Sequence, residues 1–508
     1  MTATSLESRN TIIQAMQTPE FYDHEVSEVV MLQTHISWVF LTGKYAYKVK
    51  KPVDFGFLNF TELEQRKFFC EEEIRLNSRL AKDIYLQTVA ITGSEENPAL
   101  NGSGEAVEFA VKMLQFDQSQ LVNDLLSVNK LTNQHIDDIA KQVADFHQSI
   151  EISDSSSNLG TAESVNAPVI QNFDQLEPLI TDPQAREQLS RLRDWSTQEF
   201  KKIESILESR KASGFIKECH GDMHLGNMAL IDNHVTIFDG IEFNDEFRWI
   251  DVMSEVAFLV MDLFDRKASA FAYRFLNSYL EHSGDYEGIQ VLRFYLVYRA
   301  MVRAKIASFT LLTPDLSESE KIKTMQQFTS YTDLAEEFTQ SNDLSLIITH
   351  GVSGSGKTTI SQKALEKQGL IRIRSDVERK RMYDLKASEN SKSAINSGIY
   401  SKDASLKTYQ KLEKLAKLIL KSGYSVIVDA TFLNQADRNL FLELSKELSV
   451  KFVIIDLVAD KAILEKRIIQ RSTDQNNASE ADLSVLENQL KNMEALSSDE
   501  VKHIESFE

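Results

Sequence analysis

Apolar and polar positions alternate with a period of two through much of the first hundred residues, in VVMLQT (29–34), SWVFLTG (37–43), YAYKVKKP (45–52), YLQTVAITG (85–93) and VEFAVKML (107–114). That alternation predicts half-buried strands. One segment breaks it: LEQRKFFCEEEIRLNSRLA (63–81) has helical spacing, and GSEENPALNGSG (93–104) reads as a loop. From about 119 to 335 the spacing is mostly helical, interrupted by a β-rich patch at 228–243. After the polar stretch TQSNDLS (339–345) the pattern becomes strand LSLIITH, a glycine loop, helix, strand LIRIRS, a helix over 404–421, strand YSVIVDA, helix, strand KFVIIDLVA and helix. Strands separated by helices predict a parallel sheet covered on both faces. The expected organisation is one domain over 1–338, with a β-rich lobe at about 20–115 and a helical lobe at about 116–338, and an α/β domain over 344–508.

Two or three domains is also what 508 residues imply. The balance of 26% charged and 42% apolar residues is that of a soluble globular protein. MTATSLESRNTIIQAM has neither a basic n-region nor an apolar core, and no apolar run reaches membrane-spanning length, so neither export nor insertion is expected. Cys70 and Cys219 stand far apart without metal-binding spacing, which fits a reducing cytoplasm. The net charge of −20 is unevenly spread. From 344 onward 25 Lys and Arg meet 23 Asp and Glu, leaving 31 against 53 before it. An acidic first region disfavours polyanions and favours small cationic partners.

Two stretches carry phosphoryl-transfer chemistry. In HGDMHLGN (220–227), Asp222 precedes Asn227 by the Asp-to-Asn spacing of a kinase catalytic loop, and IFDG places Asp239 at the end of a short apolar strand. Asp222 would be the base; Asn227 and Asp239 would hold Mg²⁺. In YAYK, Ala46 and Lys48 share a strand face, setting an ammonium beside the phosphates of ATP. Glu73 lies on the apolar face of the 63–81 helix and is the candidate partner of Lys48. Glu71 and Glu72 compete for that role, and Lys44, Lys50 and Lys51 are neighbours that make a merely solvated Lys48 the plain alternative. His220 reads as a brace of the loop and His224 as a surface residue.

GVSGSGKT (351–358) fits the P-loop pattern between an apolar strand and a helix. Gly351, Gly354 and Gly356 let backbone N–H groups wrap phosphates, Lys357 reaches the β- and γ-phosphates, Thr358 takes Mg²⁺, and Thr359 completes the loop. Asp376 follows the next strand and is placed to accept a proton from an acceptor hydroxyl, with Arg379 three residues on; helix capping by Ser375 or Asp376 is the plain reading. Asp429 ends an apolar strand at a second metal-side position. Arg467 and Arg471, one helical turn apart and followed by STDQNNASEAD, suit a lid carrying arginines to the phosphates or a solvated basic face.

HGDMHLGN with IFDG resembles the aminoglycoside phosphotransferase family of kinase-like enzymes. SWVFLTGKYAYKVKKPVDFGFLNF, CEEEIRLN and FNDEFRWIDV resemble a bacterial branch of it, the bifunctional aminoglycoside phosphotransferase/ATP-binding proteins, across essentially the whole chain. The resemblance implies an α+β protein-kinase-like bilobal domain followed by an α/β P-loop kinase domain. Two departures stand out: Gly221 replaces the arginine of the HRD pattern, and no GxGxxG precedes Lys48. The Asp376–Arg379 spacing resembles that of zeta-toxin-like and polynucleotide kinases, which implies a phosphate contact for Arg379. The expected activity is ATP- and Mg²⁺-dependent phosphorylation of small-molecule hydroxyls at two centres. One domain acting as a nucleotide-sensing regulator or antitoxin-like partner of the other is the first alternative. A 5′-OH polynucleotide kinase is the second, permitted by Arg372, Arg374, Arg379, Lys380 and Arg381 but lacking aromatic stacking positions.

Overall fold

The computed structural model describes residues 11–56, 58–94, 97–313, 316–387, 389, 391, 398–471 and 480–506. The chain divides into two compact units, one built from 1–135, 146–167 and 207–259, the other from 136–145, 168–206 and 260–508.

The first unit holds six strands, β1 (Val30–Gln33), β2 (Ser37–Leu41), β3 (Tyr45–Lys50), β4 (Tyr85–Ser94), β5 (Asn97–Leu100) and β6 (Ala106–Leu114). They form one antiparallel sheet in the order β1-β2-β3-β6-β4-β5. The 93–104 segment is therefore more than a loop, since β5 pairs back on β4 from Ser94↔Asn97 to Ile91↔Leu100. The period-two alternation divides β3 cleanly. Tyr47 and Val49 join Phe40, Val89, Ile91 and Ala110 in a core on one face. Ala46, Lys48 and Lys50 point to the opposite face. Helix α1 (Leu63–Ala81) packs against the sheet through Cys70 and Ala81, beside Tyr85, Phe109 and Val111. Further along, β7 (Ile216–Glu218) pairs antiparallel with β10 (Trp249–Asp251), and β8 (Met228–Ile231) with β9 (His234–Ile237). The HGDMHLGN loop runs between β7 and β8, and IFDG runs out of β9. Helices α2 (Asn133–Ser149) and α3 (Val252–Asp265) supply two further side chains to this region.

In the second unit, helices α4 (Ser269–Ser283), α5 (Ile289–Thr310) and α6 (Glu318–Thr339) precede a parallel sheet of β11 (Ser345–His350), β12 (Ile371–Arg374), β13 (Val426–Asp429) and β14 (Lys451–Asp456). Its order is β12-β13-β11-β14. Ile347, Ile427, Val453 and Ile455 pack against Ala364, Leu365 and Leu370. Near-continuous apolar strands are what a sheet covered on both faces requires. Between and after the strands lie α7 (Lys357–Gln368), α8 (Ser375–Arg381), α9 (Lys402–Lys421), α10 (Gln435–Leu448), α11 (Lys461–Arg471) and α12 (Leu483–Asn492). The fold class is thus an α+β region with an antiparallel sheet followed by an α/β region whose parallel sheet carries the glycine loop. Among the described residues no helix is long and apolar enough to cross a membrane.

Candidate active sites

The first centre is organised by a carboxylate with two lysines. Lys48 Nζ donates to Glu73 Oε1 at 2.8 Å and to Asp239 Oδ1 at 2.6 Å. Lys50, two residues on and therefore on the same strand face, donates to Glu73 Oε2 at 2.7 Å and pairs also with Glu242. Glu72 turns instead to Arg75 at 2.8 Å. Burial by itself would raise the Glu73 carboxyl, but the two ammonium groups outweigh it and hold the group well below the usual range. Glu242 is pushed the other way by its burial, with Glu73 adding to the rise. Asn77, one turn beyond Glu73 on α1, donates to the Glu73 carbonyl at 2.9 Å and accepts from Gly240 N–H at 2.7 Å. Asp239 N–H donates to the Tyr85 hydroxyl at 3.1 Å. Helix, strand and the IFDG turn are thereby locked around one cluster.

Asp222 and Asn227, the expected base and metal ligand, lie together. Asn227 Nδ2 donates to Asp222 Oδ2 at 3.0 Å and to its carbonyl at 3.0 Å. The remaining donor atom of that side chain is its amide oxygen, a ligand type Mg²⁺ accepts, as is the Asp239 carboxylate. His220 Nδ1 accepts from Asp222 N–H at 3.3 Å, and its Nε2–H donates to the Phe238 carbonyl at 2.9 Å. Burial lowers its pKa, so a neutral ring braces the loop. His224 Nδ1 accepts from Gly226 N–H at 3.1 Å, which in the neutral ring puts the proton on Nε2, 3.4 Å from Asp222 Oδ2. Gly221 has φ +88, and a Cβ there would meet the Phe247 carbonyl oxygen at 2.7 Å. No arginine of the HRD kind fits at that position.

Below the loop, Gly221 N–H donates to Glu255 Oε1 at 2.6 Å, and the other oxygen of Glu255 pairs with His147 Nε2 at 2.8 Å. His147, Cys219 and Glu255 form a tight buried group of metal-ligand type. Its carboxylate is already committed to Gly221 N–H and the imidazole.

In the second centre, β11 leads into Gly351 (φ +147), Gly354 (φ +83) and Gly356 (φ +99), and α7 begins at Lys357. A side chain at Gly351 would meet the Leu457 carbonyl oxygen at 2.7 Å, so the first loop residue must be glycine. Lys357 Nζ donates to the carbonyls of Gly351 at 3.0 Å and Val352 at 2.8 Å, arching over the loop. Thr358 and Thr359 are exposed. Asp429 Oδ2 accepts from Ser361 Oγ at 3.2 Å, tying the end of β13 to α7. A threonine hydroxyl and a carboxylate make an oxygen donor set suited to Mg²⁺. Arg467 Nη1 donates to the Gly354 carbonyl at 3.1 Å, so it lies on the loop. The side chain of Arg471 and residues 472–479 lie outside the described residues.

Asp376 opens α8 and is half-buried. Arg379, expected at a phosphate, is buried and directed elsewhere: its Nη1 donates to the Ile399 carbonyl at 3.0 Å and to Ser405 Oγ at 3.2 Å, and its guanidinium lies over Tyr400. Sequence reasoning missed Lys50, Glu242, Asn77 and Glu255 around the first centre. The strand period pointed to Lys50, and Glu242 stands three residues beyond Asp239; Glu255 had no local signal.

Residues 346–496 match the family model for an AAA domain. Uncharacterized proteins of Mycobacterium tuberculosis (strain H37Rv) and Mycobacterium bovis are 27% identical over 446 residues, spanning 88% of this chain and 87% of theirs. Among solved structures, the chain is similar to Plasmodium vivax ethanolamine kinase, with a TM-score of 0.38 and 12% identity over 65% of this chain and 89% of that one. A choline/ethanolamine kinase family protein from Mesorhizobium loti gives a TM-score of 0.41 and 11% identity over 66% and 96%. The AAA match thus covers the glycine loop and the parallel sheet, and the cluster of Lys48, Glu73 and Asp239 lies in the part of the chain before it.

Proposed function

We propose that this protein transfers the γ-phosphoryl group of ATP to hydroxyl groups of small-molecule acceptors at two separate centres, one in residues 1–338 and one in residues 344–508. The observation that carries the reading is Lys48 held between Glu73 and Asp239, an ammonium fixed where the phosphates of ATP would lie. Bound ATP with Mg²⁺ supplies the phosphoryl group and offsets its negative charge. Around it, Lys48 would orient the α- and β-phosphates, Asn227 and Asp239 would hold the metal, and an Asp222 oxygen would take the proton of the acceptor hydroxyl as its oxygen bonds the γ-phosphorus, the bond to the β–γ bridging oxygen breaks and ADP leaves. In the second centre Lys357, Arg467 and the N–H groups of 351–359 would hold the phosphates, Thr358 and Asp429 would hold the metal, and Asp376 would take the acceptor's proton in the same exchange, with ADP again the leaving group.

Cationic or sugar-like alcohols suit the acidic first region. A nucleic acid acceptor is not favoured, because the basic cluster beside Asp376 is committed internally. Arg374 pairs with Glu281 at 2.6 Å, Lys380 Nζ donates to the Ala387 carbonyl at 2.9 Å, and Arg381 Nη2 donates to the Glu281 carbonyl at 2.5 Å. We place the protein in the cytoplasm, in keeping with two buried, unbridged cysteines, Cys70 and Cys219.

The test is ATP turnover of wild type, Asp222→Ala and Asp376→Ala with aminoglycosides, other cationic alcohols, sugars, nucleotide sugars and 5′-OH oligonucleotides. Loss of a distinct acceptor-dependent activity in each variant supports two working centres. Loss in Asp376→Ala alone makes the kinase-like region a nucleotide sensor, and loss in neither overturns the reading.

A further inference from the structure

The edge strand of the parallel sheet, β12, is covered by residues that lie far before it in the chain. Asn277 of α4 donates from Nδ2 to the Leu370 carbonyl at 2.9 Å and accepts from Arg372 N–H at 2.6 Å, so one side-chain amide takes the place of a neighbouring strand. The Tyr286 hydroxyl donates to the Arg372 carbonyl at 3.2 Å. One turn beyond Asn277, Glu281 divides its carboxylate between two arginines of β12. Arg374 Nη1 lies 2.6 Å from Oε1 and Arg372 Nη2 lies 3.2 Å from Oε2. Arg374 also reaches the phosphotransfer side, its Nε 4.0 Å from Asp429 Oδ2.

We propose that Glu281 is a positioning residue of the P-loop centre, holding and neutralising Arg374 so that the Asp429 carboxylate stays available to the metal. The inference rests on the reading of Asp429 as a metal-side residue of that centre. Its physical basis is competition. A guanidinium 4.0 Å from a carboxylate is at ion-pair distance, and with its other partner removed Arg374 closes on Asp429 and cancels the charge the cation needs. Glu281 and Asn277 are contributed by α4, which precedes the P-loop sequence by more than one full element, so the centre is incomplete when cut at its own sequence boundary.

The experiment uses the full chain with Asp239→Asn, which removes a metal ligand proposed for the other centre, and Mn²⁺ with AMP-PNP as the probe, read by electron paramagnetic resonance. Glu281→Gln is expected to weaken Mn²⁺ binding about tenfold, and adding Arg374→Met to return it to within about twofold of the parent. Arg374→Met by itself, with Glu281 present, is expected to leave the affinity within about twofold, because the arginine is already neutralised. Unchanged binding in Glu281→Gln, or no recovery in the double variant, overturns the proposal. If Glu281→Gln does not fold, Arg374→Met decides alone: tightening beyond about fivefold means that Glu281 does not neutralise the arginine, and the proposal fails. Lys357→Ala in the same background separates the two readings. If it leaves the signal intact, the P-loop reading itself fails and the role of Glu281 with it; if it removes the signal while Glu281→Gln does not alter it, only the role of Glu281 fails.

Discussion

Lys50 Nζ lies 2.7 Å from Glu73 Oε2, the carboxylate oxygen that Lys48 leaves to it. The strand period makes both lysines neighbours of one buried acid, yet their surroundings differ. Lys48 reaches out to Asp239, whose side chain is 46% exposed, whereas Lys50 is 0% exposed and turns to the buried Glu242.

The two lysines are therefore expected to separate function from stability. Lys48→Met should leave Glu73 paired with Lys50 and the melting temperature little changed, while ATP turnover at the first centre falls by at least about a hundredfold. Lys50→Met strands Glu242 in a buried site and should cost about 3–5 kcal/mol, read as a large drop in melting temperature. The opposite ranking would show that Lys50 is the nucleotide-side residue.

The brace under the catalytic loop predicts a loss of rate with little loss of affinity. Glu255→Gln keeps the size of the side chain but weakens both the bond from Gly221 N–H and the pairing with His147. Turnover at the first centre should fall about tenfold to a hundredfold while AMP-PNP binding, measured by titration calorimetry, stays within about threefold. A variant that loses binding and rate in equal proportion would place Glu255 at the nucleotide rather than under the loop.

Gly221→Ala puts a methyl group at φ +88, against the Phe247 carbonyl oxygen. The combined strain and overlap should cost about 1–3 kcal/mol and displace Asp222. Gly43, at φ +90 with open space around it, is the control. Gly43→Ala carries the backbone strain without the overlap and should be milder in both melting temperature and turnover.

Burial alone would raise the carboxyl of Glu281, but Arg374 and Arg372 outweigh it and bring the group from its ordinary 4.5 down to about 2. A depressed folded-state pKa stabilises the fold above the unfolded value and loses that effect as pH falls through the folded one. The melting temperature of wild type should therefore exceed that of Glu281→Gln at neutral pH, with the gap narrowing between pH 4.5 and about 2. The full effect is about 3 kcal/mol. A gap independent of pH across that window would mean that the charge of Glu281 contributes nothing.

The elements of the fold were legible wherever a period ran unbroken. YAYKVK divides into two faces because strand side chains alternate, and GVSGSGKT reads as a phosphate loop because its glycines serve backbone angles that other residues avoid. NPAL did not read as a strand: a four-residue edge strand holding a proline carries too little pattern, and only its pairing with β4 creates it.

Long-range pairing belonged to the tertiary structure alone. Glu71, Glu72 and Glu73 are chemically alike in sequence, and burial separates them, enclosing Glu73 between two lysines and turning Glu72 to Arg75. The spacing from Asp376 to Arg379 was clear, yet packing at Tyr400 and Ser405 decided where the arginine points. Glu281 had no motif around it, because its meaning lies in two arginines more than ninety positions away. What the sequence determined by itself is chemistry held within a few neighbouring residues, where chain geometry sets the spacing. What only the folded chain decided is which distant charges meet, because that depends on what each must be buried beside.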